Sequence, residues 1–439
     1  MTRVPPGPGM LLCGPLFRTL RRDPVGFFTH LTHDYGDAVQ FSLGPQKVVV
    51  FNHPDLIREL LVTQGRSFQK SRAIRRTKVI LGNGLLTAEG EGHTRQRRLA
   101  QPAFHRDRTA LFADLMIERS LRTCARWRDD EVIDVHQEMT RTALSIVAAA
   151  LFGAEVDDAA DDIGSALTDL VDLFPRLLNP LADLLLWLPI PKTRRLKRAV
   201  ERLDRTINAI IDSRRSDADD RGDLLSMLLC VRDAEGDALT ATQLRDEVMT
   251  LFLTGLETVA NALAWTWYQL GQNPGIVSEM QREIGTGTPE YVRLPYTRMV
   301  FAESMRLFPP VWAISRVALE PVTVGDWHVP RDALAVVCFA VTHRDARWWR
   351  EPSRFDPLRF VQPATHPKFA YLPFGAGARG CIGEGFAWME GVLALATIAQ
   401  RWHLESYPHA VVPQASITLR PKGGIRLRVR RRAHIGAST

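Results

Sequence analysis

One cysteine in this chain sits where a thiolate could hold a metal. The run Phe374-Gly375-Ala376-Gly377-Ala378-Arg379-Gly380-Cys381-Ile382-Gly383 sets four glycines and one arginine around Cys381, and a helical pattern begins at Glu384. Glycine density of this kind implies tight backbone turns approaching something flat or bulky. Backbone N–H groups around a sulfur, just ahead of a helix N-terminus, lower a thiol's pKa and hydrogen-bond the thiolate, which is what a cysteine-held haem iron needs. Two other chemistries compete for the same residues. Gly375, Gly377 and Gly380 satisfy the count of a dinucleotide-binding G-x-G-x-x-G, but the preceding PKFAYLPF carries two prolines instead of a strand, and no βαβ unit surrounds it. An inert buried cysteine is the commonest state of a lone thiol, and it leaves the glycines and Arg379 unexplained.

Whatever chemistry Cys381 performs, the rest of the chain must position it. With 439 residues, 45% of them apolar, the chain can build a large core, which excludes disordered and mini-protein classes. Its charge of +7 is a mild excess with no dense basic block of the nucleic-acid type, so DNA and RNA are not expected partners. Five widely spaced cysteines do not make a disulfide framework, and the Pro-rich start is followed by no apolar targeting segment. A cytoplasmic protein without a transmembrane anchor is the expectation. The apolar stretch Leu181 to Ile190 is too short to span a bilayer and reads as a buried helix end, a pocket cap or a membrane-touching surface.

Val39 to Asn52 reads as a β-hairpin with a Gly-Pro turn, whereas helical periodicity marks Arg108 to Arg126, Val135 to Phe152, Thr193 to Arg214 and Thr242 to Leu270. Thr240 and Gln243 match a capping box opening the last of these. β-branched runs return at Val322 to Val329, Ala333 to Val341 and Ser416 to Arg428. The predicted class is mainly α with small β-sheets. No linker or repeat divides residues 1–439, so a single domain is expected, with a Pro-rich tail at 1–15 and a basic tail at 429–439.

Phe374 to Gly383 matches in full F-G-x-G-x-R-x-C-x-G, and in this the chain resembles the cytochrome P-450 superfamily of haem-thiolate monooxygenases, in its soluble bacterial form. Three further segments are similar to that family's motifs, in its order. Glu303-Ser-Met-Arg306 resembles its E-x-x-R helix, and Phe355-Asp-Pro-Leu-Arg359-Phe360 its P-E-R-F segment with the first positions altered. Thr254-Gly255-Leu256-Glu257-Thr258 resembles A-G-x-E-T with Thr for the first Ala. The resemblance spans essentially the whole chain and implies a fold holding haem b between a long distal helix and the Cys-loop helix.

It also implies roles. Cys381 would be the iron ligand, its electron push favouring O–O cleavage. Phe374 would shield the sulfur, and Gly375 and Gly383 would shape the loop. Glu303, Arg306 and Arg359 would form a buried structural charge network. Arg97, Arg316, Arg379 and His93 would serve the haem propionates; the family more often has Trp at the position of His93. His93 and Arg97 sit four apart, hence on one helix face. Leu251, Thr254, Gly255 and Thr258 share one stripe of the long helix. Gly255 would leave room for O2, and Glu257 with Thr258 would organise proton delivery through water. A mid-helix threonine otherwise bonds the carbonyl four residues back.

Candidate pocket walls are Leu85, Leu86, Phe174, Leu177, Leu251, Thr254, Val311, Trp312, Ile314 and Ile417, mostly apolar, which predicts selection by shape and a lipophilic substrate such as a fatty acid or terpenoid. The chain has no flavin or iron–sulfur segment, so electrons from NAD(P)H must arrive through a ferredoxin or flavodoxin with its reductase; Arg95 and Arg98 are candidates for its docking patch. A monomer is expected. The rivals are a peroxide-driven peroxygenase or haem-thiolate isomerase, and, from another class, a haem protein that binds or senses without turnover.

Overall fold

The computed structural model describes residues 3–10, 15–153, 170, 187–188, 190–216, 222–232, 236–361, 364–432. Its contacts divide the chain into two compact units, each assembled from three separated stretches.

The first unit comprises Met1–Arg72, Met299–Cys381 and Val412–Lys422. Its centre is a six-stranded sheet, whose order is Gly9–Met10, Ala38–Leu43, Gln46–Phe51, Leu334–Val337, Ile314–Ala318 and Phe68–Lys70. Ala38–Leu43 and Gln46–Phe51 form the expected hairpin, with Gly44 at φ +57° in the turn. Both faces of this sheet are covered by apolar clusters. Val49, Phe51, Phe68, Ala335 and Val337 belong to one, and Val39, Phe41, Val48, Val50 and Val336 to the other, as alternation along strands requires. The Pro-rich start is not a loose tail. Gly9–Met10 pairs in parallel with Phe41 and Ser42, Arg3 N–H donates to the Asp326 carbonyl, and Pro6 O accepts from Gln40 N–H.

The second unit comprises Ala73–Arg298, Ile382–Val411 and Gly423–Thr439. Its axis is the helix Ala241–Gln272, opened by the capping box of Thr240 and Gln243 and packed most extensively on Val135–Phe152. The helix Glu384–Arg401 packs on it as well. Among the described residues this 32-residue helix is the one long and apolar enough to cross a membrane, yet 67% of its most apolar window is buried inside the protein, as in a core helix. A three-stranded sheet of Trp402–Ser406, Arg426–Arg431 and Val132–Asp134 lies beside it, so residues 429–431 of the basic tail are strand.

Several boundaries differ from the sequence reading. The helix expected over Arg108 to Arg126 is two, Arg106–Ala110 and Ala113–Cys124, broken at Leu111 and Phe112. The run Ala333 to Val341 divides into a strand and the short helix Phe339–Thr342. The run Ser416 to Arg428 divides at Gly423 and Gly424, both with positive φ, between Leu419–Lys422 and Arg426–Arg431.

Candidate haem-thiolate site

In the first unit, the loop around Cys381 is built by its glycines. Gly375 and Gly377 adopt φ of +70° and +72°, the left-handed region that side chains avoid, and a Cβ on Gly377 would lie 2.2 Å from the Leu61 carbonyl oxygen. The Cys381 N–H closes the turn on the Phe374 carbonyl at 2.9 Å. These bonds leave the Cys381 side chain exposed, whereas Cys124 and Cys338 are buried and burial pushes the Cys338 thiol up to about 12. Arg379 donates to the carbonyls of Gly65 and Phe68, both at 3.0 Å, which ties the loop to the edge of the sheet. Arg316 lies on that same sheet, in register with Lys70 and Ala335.

The same unit holds the network of Glu303, Arg306 and Arg359. Arg306 Nε and Nη2 donate to the two Glu303 oxygens at 2.6 and 2.8 Å, Arg359 Nε adds a third bond at 3.3 Å, and Asp356 N–H a fourth at 2.9 Å. Arg306 also reaches the carbonyls of His343, Pro352 and Arg354 and stacks over Trp349. Burial pushes the Glu303 carboxyl above its ordinary range, while Arg306, Asp356 N–H and Arg359 pull it back.

His343 belongs to this region, and sequence reasoning missed it. Its Nε2 accepts the Leu372 N–H at 2.9 Å, so the ring is neutral there, and burial, with Arg306 and Arg344 adding repulsion, pushes its pKa down to about 3. Because the folded value lies below the unfolded 6.5, the unfolded chain binds the extra proton, and the contribution to stability is lost as pH falls below 6.5. Between pH 7 and 5 this should remove about 2 kcal/mol. Urea midpoints at both pH values should therefore diverge less in His343→Gln than in the parent; equal divergence would show that His343 is not the acid-sensitive group.

The same unit gathers one side of the expected pocket. Trp312 Nε1 donates to the Ser416 carbonyl at 2.7 Å and Leu419 N–H to the Pro310 carbonyl at 2.8 Å, which brings Val311, Trp312 and Ile314 beside the segment carrying half-buried Ile417.

In the second unit, the long helix carries Leu251, Thr254, Gly255, Glu257 and Thr258, all partly exposed among buried neighbours. Thr254 and Thr258 each donate to the carbonyl four residues earlier at 2.7 Å, which fixes their hydroxyls and leaves each oxygen able to accept. A Cβ on Gly255 would meet only Val147, at 3.4 Å. His93 is buried and Arg97 half-buried on the helix Gly90–Ala100. Leu85 is buried and Leu86 half-buried on the loop before that helix. Phe174 and Leu177 lie outside the described residues.

The donor set fits a haem. An exposed cysteine in a glycine loop suits a thiolate-held iron, and Arg316 and Arg379 of the same unit are cations of the kind that suit a haem's propionates.

Comparison with known proteins agrees with this chemistry. The family model for cytochrome P-450 matches residues 4–428. The chain is 37% identical over 435 residues to cyclooctatin synthase of Streptomyces melanosporofaciens, covering 95% of this chain and 94% of that one. It is 33% identical over 401 residues to cyclooctat-9-en-7-ol 5-monooxygenase of the same organism (89% and 87% covered), and 34% over 429 residues to pentalenene oxygenase of Streptomyces avermitilis (95% and 94%). A solved P-450 haem domain superposes with a TM-score of 0.88 at 24% identity, covering 98% of this chain and 99% of that one, which shows the fold. A match running this nearly from end to end means that the chain belongs to the cytochrome P-450 family, as an oxidoreductase that carries haem b and uses O2 with electrons drawn from NAD(P)H through a separate redox partner.

Proposed function

We propose that this monooxygenase hydroxylates a cyclic terpenoid hydrocarbon or alcohol. The observation that carries the reading is the near full-length similarity to two oxygenases whose names specify such compounds, cyclooctat-9-en-7-ol 5-monooxygenase and pentalenene oxygenase. The mostly apolar lining candidates support it, since such walls select by shape.

When bound, haem b supplies the activation of O2: one oxygen atom enters the substrate and the other leaves as water, with two electrons and two protons consumed. Cys381 holds the iron, with Phe374, Gly375 and Gly383 shaping the loop around its sulfur. Arg97, Arg316, Arg379 and His93 neutralise the propionates. Gly255 keeps the helix surface low where O2 binds, and Leu85, Leu86, Leu251, Thr254, Val311, Trp312, Ile314 and Ile417 orient the substrate. Thr258 accepts at Oγ while its own proton is directed to the Thr254 carbonyl, so a water held there is oriented for proton delivery, with Glu257 as the acid behind it. The chain acts as a single cytoplasmic haem domain and monomer, served by a ferredoxin or flavodoxin that docks near Arg95 and Arg98.

The test is turnover of cyclic terpenoid probes with NADPH and a ferredoxin system. Hydroxylated product formed only with the reductase supports the proposal, while faster product formation from peroxide alone would replace it with a peroxygenase. Thr258→Ala sharpens the test. Product per electron pair should fall roughly tenfold, less than the hundredfold or more that positioned proton transfer typically contributes because solvent water still supplies protons, with the balance appearing as peroxide and with haem content unchanged. Unaltered coupling would remove Thr258 from proton delivery.

A further inference from the structure

The loop carrying Leu85 and Leu86 is held onto the long helix by two carboxylates that the reaction itself does not use. Asp246 Oδ2 accepts the Asn83 N–H at 2.7 Å, and Glu247 Oε2 accepts the Leu85 N–H at 3.1 Å. Both side chains are almost fully buried, at 5% and 1% exposure, on the helix Ala241–Gln272. The neighbouring Arg245 donates to the Ile80 carbonyl at 3.1 Å and is itself anchored by Asp204 and Asp246. From the loop's other flank, Gln96 donates to the Asn83 carbonyl at 2.7 Å and Thr87 Oγ to the Gly82 carbonyl at 2.7 Å.

The loop's two glycines show how close the fit is. A Cβ on Gly82, at φ +56°, would lie 2.0 Å from Asp246 Oδ1; one on Gly84 would lie 2.2 Å from Thr250 Oγ and 2.5 Å from the Asp246 carbonyl oxygen. No side chain fits either position without lifting the loop. Asp246, Thr250, Thr254 and Thr258 follow one another every four residues, so they form one ridge of the helix. At 1.5 Å per residue, Thr250 lies about 6 Å along the axis from Thr254 and about 12 Å from Thr258.

We infer that Asp246 and Glu247 are positioning residues that set substrate selectivity by fixing the 82–86 segment as a rigid wall on the threonine ridge. The inference rests on the reading of that ridge as the reaction side of the helix. Two bonds from backbone N–H groups to buried carboxylates are charge-assisted, and a buried acceptor left without its donor carries a desolvation cost, so the loop has little freedom to lift. A wall fixed in this way discriminates by shape, whereas a loose one would adapt to each ligand.

The experiment uses the haem-loaded enzyme and probes that need no knowledge of the substrate. Asp246→Asn, Glu247→Gln and the double variant are compared by amide hydrogen exchange over residues 82–86 and by optical titration with imidazole and with the bulkier 1-phenylimidazole. In the double variant the segment should exchange about tenfold faster or more, as loss of a hydrogen bond to a charged group implies. The dissociation constant for 1-phenylimidazole should change by roughly fivefold while that for imidazole stays within about twofold, because only the larger ligand reaches the wall. Unchanged exchange would overturn the clamp, and faster exchange with both probes shifted alike would overturn its role in selectivity. Gly84→Ala, which leaves both carboxylates in place, should reproduce the probe split, and keeps the test available if the double variant folds poorly. Failure of terpenoid turnover would leave these readouts untouched, so the two proposals fail separately.

Discussion

Cys381→His should abolish the strongly red-shifted Soret band of the dithionite-reduced carbon monoxide complex and depress oxygenation by roughly a thousandfold, about 4 kcal/mol of barrier. The band and the rate would report the same thing, a thiolate donating electron density to the iron it holds. Histidine can still hold a haem, so the variant should bind the cofactor and lose the band, separating ligation from binding. No other described cysteine can take over. Cys124 and Cys338 are buried with their thiols pushed above the ordinary range, and Cys230 lies at the end of the helix Leu224–Cys230 without glycine turns around it. A red-shifted band retained in Cys381→His would place the iron ligand elsewhere and overturn the assignment.

Cys381 was legible because its loop is contiguous: ten residues carry the left-handed glycines, the arginine and the sulfur together. Glu303, Arg306 and Arg359 were legible only through the resemblance, from the order of the segments that carry them relative to the Cys loop, since E-x-x-R alone arises by chance in any charged helix. What surrounds them was not. The carbonyls that complete Arg306 come from His343, Pro352 and Arg354, whose own side chains say nothing about where their backbone points. His343 looked like any histidine, because its neutrality is imposed mainly by burial, with repulsion from Arg306 of a distant helix and from the adjacent Arg344. Nothing in the sequence singled out Asp246 and Glu247, and only the docked loop reveals what they accept. The split of the expected Ser416 to Arg428 strand had a visible cause in Gly423-Gly424. The break at Leu111 and Phe112 had no such marker, since neither residue is a helix breaker and packing decides it.

Glu303→Ala should be the most destabilising single change outside the Cys loop. The network is not in itself a large source of stability: burial raises the Glu303 carboxyl, and the surrounding donors offset that cost instead of adding a surplus. Its importance lies in asymmetry. With Glu303 gone, the Arg306 guanidinium, 0% exposed, keeps its charge against carbonyl dipoles alone, and a buried charge stripped of its partner typically costs about 3–5 kcal/mol. The yield of haem-loaded protein should therefore fall sharply, and the urea midpoint with it. Glu303→Gln should lie between, because an amide keeps the volume and one acceptor oxygen but no charge. Arg359→Ala should cost less than either, since its side chain is 12% exposed and its bond to Glu303 is 3.3 Å long, so water can reach what it leaves behind. A normally folded, fully haem-loaded Glu303→Ala would show that Arg306 is held by the three carbonyls and Trp349 alone, and that the carboxylate is dispensable to the fold.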